Sequence, residues 1–493
     1  MRTSFVLVAL WFFAGGGNLI SAGAKPDILF IFADDQAFST IHALGNGEIE
    51  TPNLDRLVKR GTTFTRAYNM GSWSGAVCVA SRHMLNTGLY VWKAEQAAEK
   101  LGGGVKKGAE GKRAAGANDN PYPNFQEQGW MWSQLMAKAG YDTYFTGKWH
   151  VKAKADEIFK VSRNIRPGMP KQTEAGYNRP IDGKPDAWSP YDKKFGGFWE
   201  GGRHWSEIVA DDAEEYLQMA KASDHPFFMY IAFNAAHDPR QAPKEFVDKY
   251  PLDHVAVPEN FLPEYPWNEE MGSGRKLRDE RLAPFPRTEH AVKVNRQEYY
   301  ALITHMDVQI GRILKALDDS GRAENTWIFF TADHGLAVGE HGLMGKQNMF
   351  EHSLRVPLMV VGPGVAKDRR IDTRVYLQDV MPTSLELAGA AIPGHVQFHS
   401  LQPLLDGKSD GARDAIYGAY LEGQRAVIVG DYKLILYPRA PKALLFNVKE
   451  DPHEMVDILP QNSERAKKLF ARLLDLQRET GDAFDLKAAF PEL

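Results

Sequence analysis

One cysteine, Cys78, in a chain of 493 residues excludes any intramolecular disulfide, so the fold must rest on its core alone. An excess of one charge is missing too. The 59 basic and 63 acidic side chains leave a formal net charge of −4, and without a basic field nucleic acid is not an expected partner. Past the first 24 residues no apolar run is long enough to span a bilayer, so no membrane is expected as a partner either. Those first residues hold Arg2, an apolar run over 5–14, and small residues at Ala22, Gly23 and Ala24. This is the layout of a secretory signal peptide over 1–24, and it leads us to expect a secreted or periplasmic protein. The remainder, with 43% hydrophobic residues overall, has the material for a packed core and is neither disordered nor fibrous.

Four apolar, β-rich runs each end abruptly in polar residues. They are 28–33 before Asp34 and Asp35, 141–146 before Lys148 and His150, 227–233 before His237, and 327–332 before Asp333 and His334. Uninterrupted apolar runs suit strands buried on both faces of a parallel sheet, and such sheets gather ligands at the carboxyl ends of their strands. The pattern predicts an α/β fold, a large mixed, mostly parallel sheet flanked by helices, with the four polar clusters sharing one site. Between the strands, Ile303, Met306, Ile310, Ile313 and Leu317 recur at helical spacing with Gly321 as a stop, and His305 and Asp307 off that stripe read as structural. Residues 93–117, glycine-rich and basic with no sustained period, read as a flexible insertion. The proline- and aromatic-rich stretches 177–205 and 258–286 read as long ordered loops. From about Ser400 the texture changes to short strands over 426–429 and 434–437 and a helix carrying Leu469, Leu473 and Leu476. A catalytic domain over 25–399 and a smaller C-terminal antiparallel-sheet subdomain over 400–493 are expected.

The segment Cys78-Val-Ala-Ser-Arg-His-Met-Leu-Asn-Thr-Gly88 holds the lone cysteine. If a helix begins there, positions 78 and 82 lie one turn apart on the same face. The helix start then offers free N–H groups and positive potential to an anion, with Arg82 beside it. Asp34, Asp35 and Asp333 supply hard carboxylate oxygens of the kind that Ca²⁺ or Mg²⁺ takes. Each residue alone has a plainer reading: a helix cap for the aspartates, a solvated charge for Lys148 and Lys346, a satisfied ring for His150 and His237. Their agreement at successive strand ends favours one shared site.

The segment resembles the signature of the type I, formylglycine-dependent sulfatases of the alkaline phosphatase superfamily, with Ala80 where proline is commoner. The other clusters are similar to that family in order: Asp34 and Asp35, then Thr51-Pro-Asn-Leu-Asp55 with Gly61, Gly147-Lys-Trp-His150, His237, Asp333-His334-Gly335, Gly345-Lys346-Gln, and finally Phe446-Asn-Val-Lys-Glu-Asp-Pro452. The resemblance implies that a formylglycine-generating maturation enzyme oxidises Cys78 to formylglycine. It implies a metal, Ca²⁺ with Mg²⁺ as the alternative, held by Asp34, Asp35, Asp333, His334 and an oxygen on residue 78. At the position of His334 many members carry asparagine. Ser81 would serve the maturation machinery and local hydrogen bonding, whereas His83, His341 and His352 stay structural.

Hydrolysis of a sulfate monoester would follow, with Cys78, as formylglycine, the nucleophile and His150 the proton acceptor that lets sulfate depart. His237 would protonate the leaving oxygen, and Arg82, Lys148 and Lys346 would offset charge on the sulfate. A sulfated carbohydrate is the expected substrate, because loops bearing Trp188, Trp199, Trp205 and Trp267 suit stacking on sugars; packing within the loops is the equal alternative. A phosphonate or phosphate ester hydrolase with the same nucleophile, and a noncatalytic sulfated-glycan binder, are the rival readings. Replacing Cys78 by alanine is expected to abolish sulfate-ester turnover while leaving a folded protein, checked by assay and circular dichroism. Substantial turnover by the folded variant would sink the assignment.

Overall fold

The computed structural model describes residues 25–101, 120–408 and 413–493. The signal-peptide expectation over 1–24 lies outside them. At the centre is an eight-stranded sheet in the order Arg369–Ile371, Thr62–Phe64, Leu358–Val361, Thr326–Ala332, Asp27–Ala33, Phe227–Ala232, Asp142–Lys148, Val161–Arg166. The last five of these run parallel, and the antiparallel pairs are confined to the other edge. The fold is therefore the α/β, mostly parallel architecture that the apolar runs predict. Every residue of Asp27–Ala33 and Thr326–Ala332 is buried, which requires cover on both faces. Trp132, on the helix Trp132–Lys138, covers one face by packing on Phe30, Phe228 and Tyr230, with its indole N–H on Ser384. Elsewhere the helices Trp205–Lys221 and Glu289–Ser320 pack together, and Asp307 on the second of these accepts hydrogen bonds from the backbone N–H groups of Asn53 and Leu54 at the start of the helix Pro52–Arg60. Asp307 is structural, as its place off the apolar stripe suggests.

Register brings the polar clusters to one level. Ala33 pairs with Ala332, Phe32 with Ala232, and Gly147 with Ala232, so the chain leaves all four strands side by side. A bulge falls between Thr146 and Gly147, where φ of Gly147 is +94°. A Cβ at Gly147 would run into the carbonyl of Ala232, so glycine alone lets the strand turn and deliver Lys148.

A second sheet joins the antiparallel strands Lys442–Asn447, Tyr432–Tyr437, Gln424–Val429 and Ala415–Tyr420 to Gly71–Ser72, which pairs in parallel with Ala415–Tyr420. The helix Ser463–Thr480 packs on it with Leu469, Leu473 and Leu476 buried. The strands read from 426–429 and 434–437 are there, but the sheet borrows its edge from a segment just ahead of Cys78. One expectation needs correction: the stretch 93–117 begins as the helix Val91–Leu101, whose Val91, Ala94, Ala97, Ala98 and Leu101 face inward. The small size of its alanines hid that stripe, and 102–119 lies outside the described residues. Among the described residues no helix is long and apolar enough to cross a membrane.

Trp132→Ala is expected to cost about 3–5 kcal/mol, because it empties a site walled by three aromatic rings and removes the indole N–H bond to Ser384. Urea unfolding would measure it, and a loss under ~1 kcal/mol would mean that this helix does not anchor the sheet.

Candidate active site

Cys78 enters the site from the first turn of the helix Val77–Thr87, and Arg82 follows one turn later, both buried. Arg82 lies over the Phe32 ring and spends its donors on three strand ends. Nε reaches Asp333 Oδ2 at 3.1 Å, Nη1 the carbonyl of Lys148 at 2.7 Å, and Nη2 Asp34 Oδ1 at 3.5 Å. The Lys148 ammonium pairs with Asp34, and Lys346 Nζ holds both oxygens of Asp35 at 2.9 and 2.7 Å. Cys78 Sγ stands 3.2 Å from His334 Nε2 and 3.9 Å from Asp35 Oδ1. Asp34, Asp35, Cys78, Arg82, Lys148, His150, His237, Asp333, His334 and Lys346 are thus gathered in one place.

Backbone and ring hydrogen bonds fix the directions. Asp333 Oδ1 accepts from the N–H groups of Asp35 and His334, and Asn69 donates to the Asp333 carbonyl. His334 Nδ1 meets the Gly335 carbonyl at 2.9 Å, an acceptor only, so Nδ1 carries a proton and Nε2 is aimed at the carboxylates. By the same reasoning His237 Nδ1 donates to the Asp238 carbonyl, leaving Nε2 to accept from Lys346 at 3.0 Å. Asp35 and His150 have φ of 55° and 53°, left-handed conformations that cost a non-glycine residue and mark a backbone held for its side chain. Tyr299 stabilises the first by donating to the Asp35 carbonyl at 2.6 Å.

Charge crowding sets the protonation states. Burial, together with the facing Asp333, pushes the Asp34 carboxyl well above its ordinary range. Burial also acts to raise Asp333, but His334 and Arg82 outweigh it and hold that group at about 2, while the carboxylates drive His334 up to about 9 against its own burial. Burial opposes the Cys78 thiolate as well; Lys148, Lys346 and His334 overcome it and bring the thiol well below its ordinary value. His150 is pushed down by burial, toward the neutral ring that accepts a proton.

The donor set fits a hard divalent cation. Ligand atoms of Asp34, Cys78, Asp333 and His334 lie within 4.8 Å of one another, as do those of Asp34, Asp35, Cys78 and His237. Oxygens around one Ca²⁺ at ~2.3–2.6 Å are no more than about 5 Å apart. The facing carboxyls of Asp34 and Asp333, at hydrogen-bonding distance, are the pair such an ion would relieve. Lys346 donates to both Asp35 oxygens, each of which keeps a second lone pair for a cation.

Cys78, His150, His237 and Lys346 line a cavity of ≈ 250 Å³ together with Met169, Leu277, Arg278 and Asp279. Sequence reading missed the last two, and also Asp238 and Gln347. Asp279 is buried beside Lys346 at 3.7 Å and accepts from Gln347 at 2.8 Å; Asp238 Oδ1 stands 3.2 Å from His237 Nδ1. Asp279 opens the short 3-10 helix Asp279–Leu282, in a stretch whose sequence carries no period to mark it; Asp238, next to His237, could have been taken by adjacency. Trp188, Trp199, Trp205 and Trp267 do not line this cavity. Trp188 stacks on Phe195, Trp199 lies edge-on to His204, Trp205 opens the helix Trp205–Lys221 under Arg166, and Trp267 borders a separate cavity. The Ser81 hydroxyl, expected to bond locally, is buried with no hydrogen-bond partner among the described residues. His83 is structural: Nδ1 bonds the Val79 carbonyl at 2.7 Å and Nε2 accepts from Lys152 N–H, tying the loop after His150 to the Cys78 helix.

Residues 26–390 match the family model "Sulfatase", and residues 339–479 match "N-sulphoglucosamine sulphohydrolase, C-terminal". An arylsulfatase of Clostridium perfringens is 28% identical over 475 residues, covering 90% of this chain and 92% of the relative. An N-acetylglucosamine-6-O-sulfatase of Bacteroides thetaiotaomicron is 24% identical, covering 93% and 87%. A solved structure of a protein in complex with its substrate D-glucosamine-2-N,6-O-disulfate superposes with a TM-score of 0.67 at 21% identity, covering 93% and 99%.

Burial holds the His83 ring at about 4, below the 6.5 of an exposed histidine. A depressed histidine favours the folded state in full above pH 6.5, and that contribution drains away as pH falls from 6.5 toward 4, because the unfolded chain takes the proton first. His83→Gln, which keeps a donor and an acceptor, is expected to flatten the decline of urea stability over that range by up to about 3 kcal/mol. An unchanged slope would show that His83 does not contribute.

Proposed function

The chain belongs to the sulfatase family, whose members hydrolyse sulfate esters, and from that premise we propose that it desulfates a carbohydrate through a formylglycine made from Cys78. The observation that carries this reading is the convergence of a buried residue 78, two histidines and Lys346 on one cavity, with Arg82 and Lys148 paired to the carboxylates behind it. The named activities of the N-acetylglucosamine-6-O-sulfatase and of the glucosamine-disulfate complex support a sugar as the alcohol. Export, as read from residues 1–24, would put the protein where such polymers occur.

Asp34, Asp35, Asp333, His334 and residue 78 would hold the cation, Ca²⁺ for preference. When bound it supplies Lewis acidity toward a sulfate oxygen and toward the hydroxyl of the hydrated aldehyde. The chain's own residues do the rest. Arg82 and Lys148 fix the carboxylates behind residue 78, and with Lys346 they would offset charge on the sulfate oxygens. His237 Nε2, in contact with Lys346 Nζ, forms the unit that hands a proton to the departing sugar oxygen. His150, kept toward the neutral form by burial and lining the cavity beside Cys78, takes the proton whose loss frees residue 78 for the next cycle. Two histidines lining the same cavity speak against a noncatalytic binder. Relative turnover of an aryl sulfate and a phosphate diester separates the phosphonate or phosphate ester hydrolase reading.

A sugar alkoxide is a poor leaving group and a nitrophenolate a good one, so the two roles part kinetically. His237→Ala is expected to lower kcat for a sugar sulfate at least tenfold more than for 4-nitrophenyl sulfate. His150→Ala should lower both by a similar factor, roughly 10²–10⁴. Equal proportional losses in both variants would refute the division of roles.

A further inference from the structure

Arg278 stands in the wall of the catalytic cavity and has no part in the chemistry above. It differs from the cations of the sulfate end: its side chain is 30% exposed, against 1% for Lys346. Nε donates to Asp279 Oδ1 at 2.7 Å, and Nη2 reaches Asp279 Oδ1 and, at 3.5 Å, Asp238 Oδ1. Nη1 meets only the sulfur of Met169, another cavity residue. A thioether is a weak acceptor, so both N–H bonds of Nη1 lack an oxygen among the described residues. Neither aspartate is free to turn toward it. Asp238 also faces His237 Nδ1 and accepts from Gln172, and Asp279 is held by Gln347 and Lys346. The guanidinium is therefore aimed by its acids and keeps one unspent edge at the cavity wall. Met169 and Leu277 beside it are apolar and strengthen any charge pair formed there. The cavity, at ≈ 250 Å³, falls below the ~300–1,000 Å³ of drug-sized sites, so what this edge meets belongs to the ring that bears the scissile sulfate.

We propose that Arg278 binds a second anionic group, a carboxylate or a further sulfate, on the sugar whose sulfate is cleaved, so that the preferred substrate carries two negative groups on one ring. This rests on the sulfate-ester reading of the site. Three aryl esters test it without knowledge of the sugar: 3-carboxyphenyl sulfate, 3-sulfonatophenyl sulfate, and neutral 3-acetylphenyl sulfate as a control for electron withdrawal. In the wild type the ratio of kcat/KM for an anionic probe to that for the neutral one should be roughly ten or more, the worth of one charge-assisted hydrogen bond. Whichever anion gives the larger ratio identifies carboxylate or sulfate as the group read. Arg278→Met should bring the ratio to about one whatever happens to the absolute rate, and Arg278→Lys should leave an intermediate value. Met169→Gln, which hands Nη1 an amide oxygen, should also lower it, and provides the reading if Arg278→Met does not fold. A wild-type ratio near or below one, or a ratio unchanged in Arg278→Met, overturns the assignment of Arg278 while leaving the sulfatase reading intact. Failure of the wild type to cleave any of the three sulfates overturns both.

Discussion

Three carboxylates brought together without water are the constraint on which this molecule is built. Two unit charges ~4 Å apart repel by about 4 kcal/mol at the effective dielectric of a protein site, and Asp34, Asp35 and Asp333 are all fully buried. The chain answers with Arg82 between Asp34 and Asp333, Lys148 on Asp34 and Lys346 on Asp35, each cation delivered from a different part of the fold. A buried charge stripped of its partner costs about 3–5 kcal/mol, so none of these cations is dispensable to the fold while the acids remain. The same balance holds Asp34, Asp35 and Asp333 close together beside Cys78.

The C-terminal segment takes part in that balance. Gly71–Ser72, five residues before the helix of Cys78, is an edge of the second sheet, and Gln424 on a neighbouring strand donates to the Gln347 carbonyl at 2.8 Å, next to Lys346. Lys433 is buried between Glu351 and Glu454 at 2.7 and 2.8 Å, fastening the same sheet to the segment that follows Lys346. The approach to Cys78 and the seat of Lys346 are thus braced from beyond residue 400.

What was legible in the sequence was whatever period or abrupt change of polarity could carry. The runs ending at Ala33 and Ala332 announce strands because a two-sided burial leaves no polar residue inside them, and Asp34, Asp35, Asp333 and His334 stand out because they come directly after. Tyr299 extends the stripe of Ile303 and Met306 one turn back and was readable as core, but nothing local says that its hydroxyl reaches the Asp35 carbonyl. Asn69, Arg278 and Asp279 act across the fold from segments without period, so their roles depend on which loops meet. The tryptophans left two readings open for the opposite reason: a large ring in a loop satisfies a nearby apolar hollow as readily as a sugar.

The pairing of the first strand with Thr326–Ala332 also sets a schedule. Asp35 and Asp333, which share a hydrogen bond, are 298 positions apart in the chain. At ~5–20 residues per second, synthesis needs roughly 15–60 s to get from one to the other. Throughout that interval 28–33, the most apolar strand of the sheet, has no partner on that side, and the carboxylates after it have no Arg82–Asp333 bridge to order them. Until Asp333 has been made, the nascent chain therefore carries Asp34, Asp35 and Cys78 without the central pair of strands closed beside them.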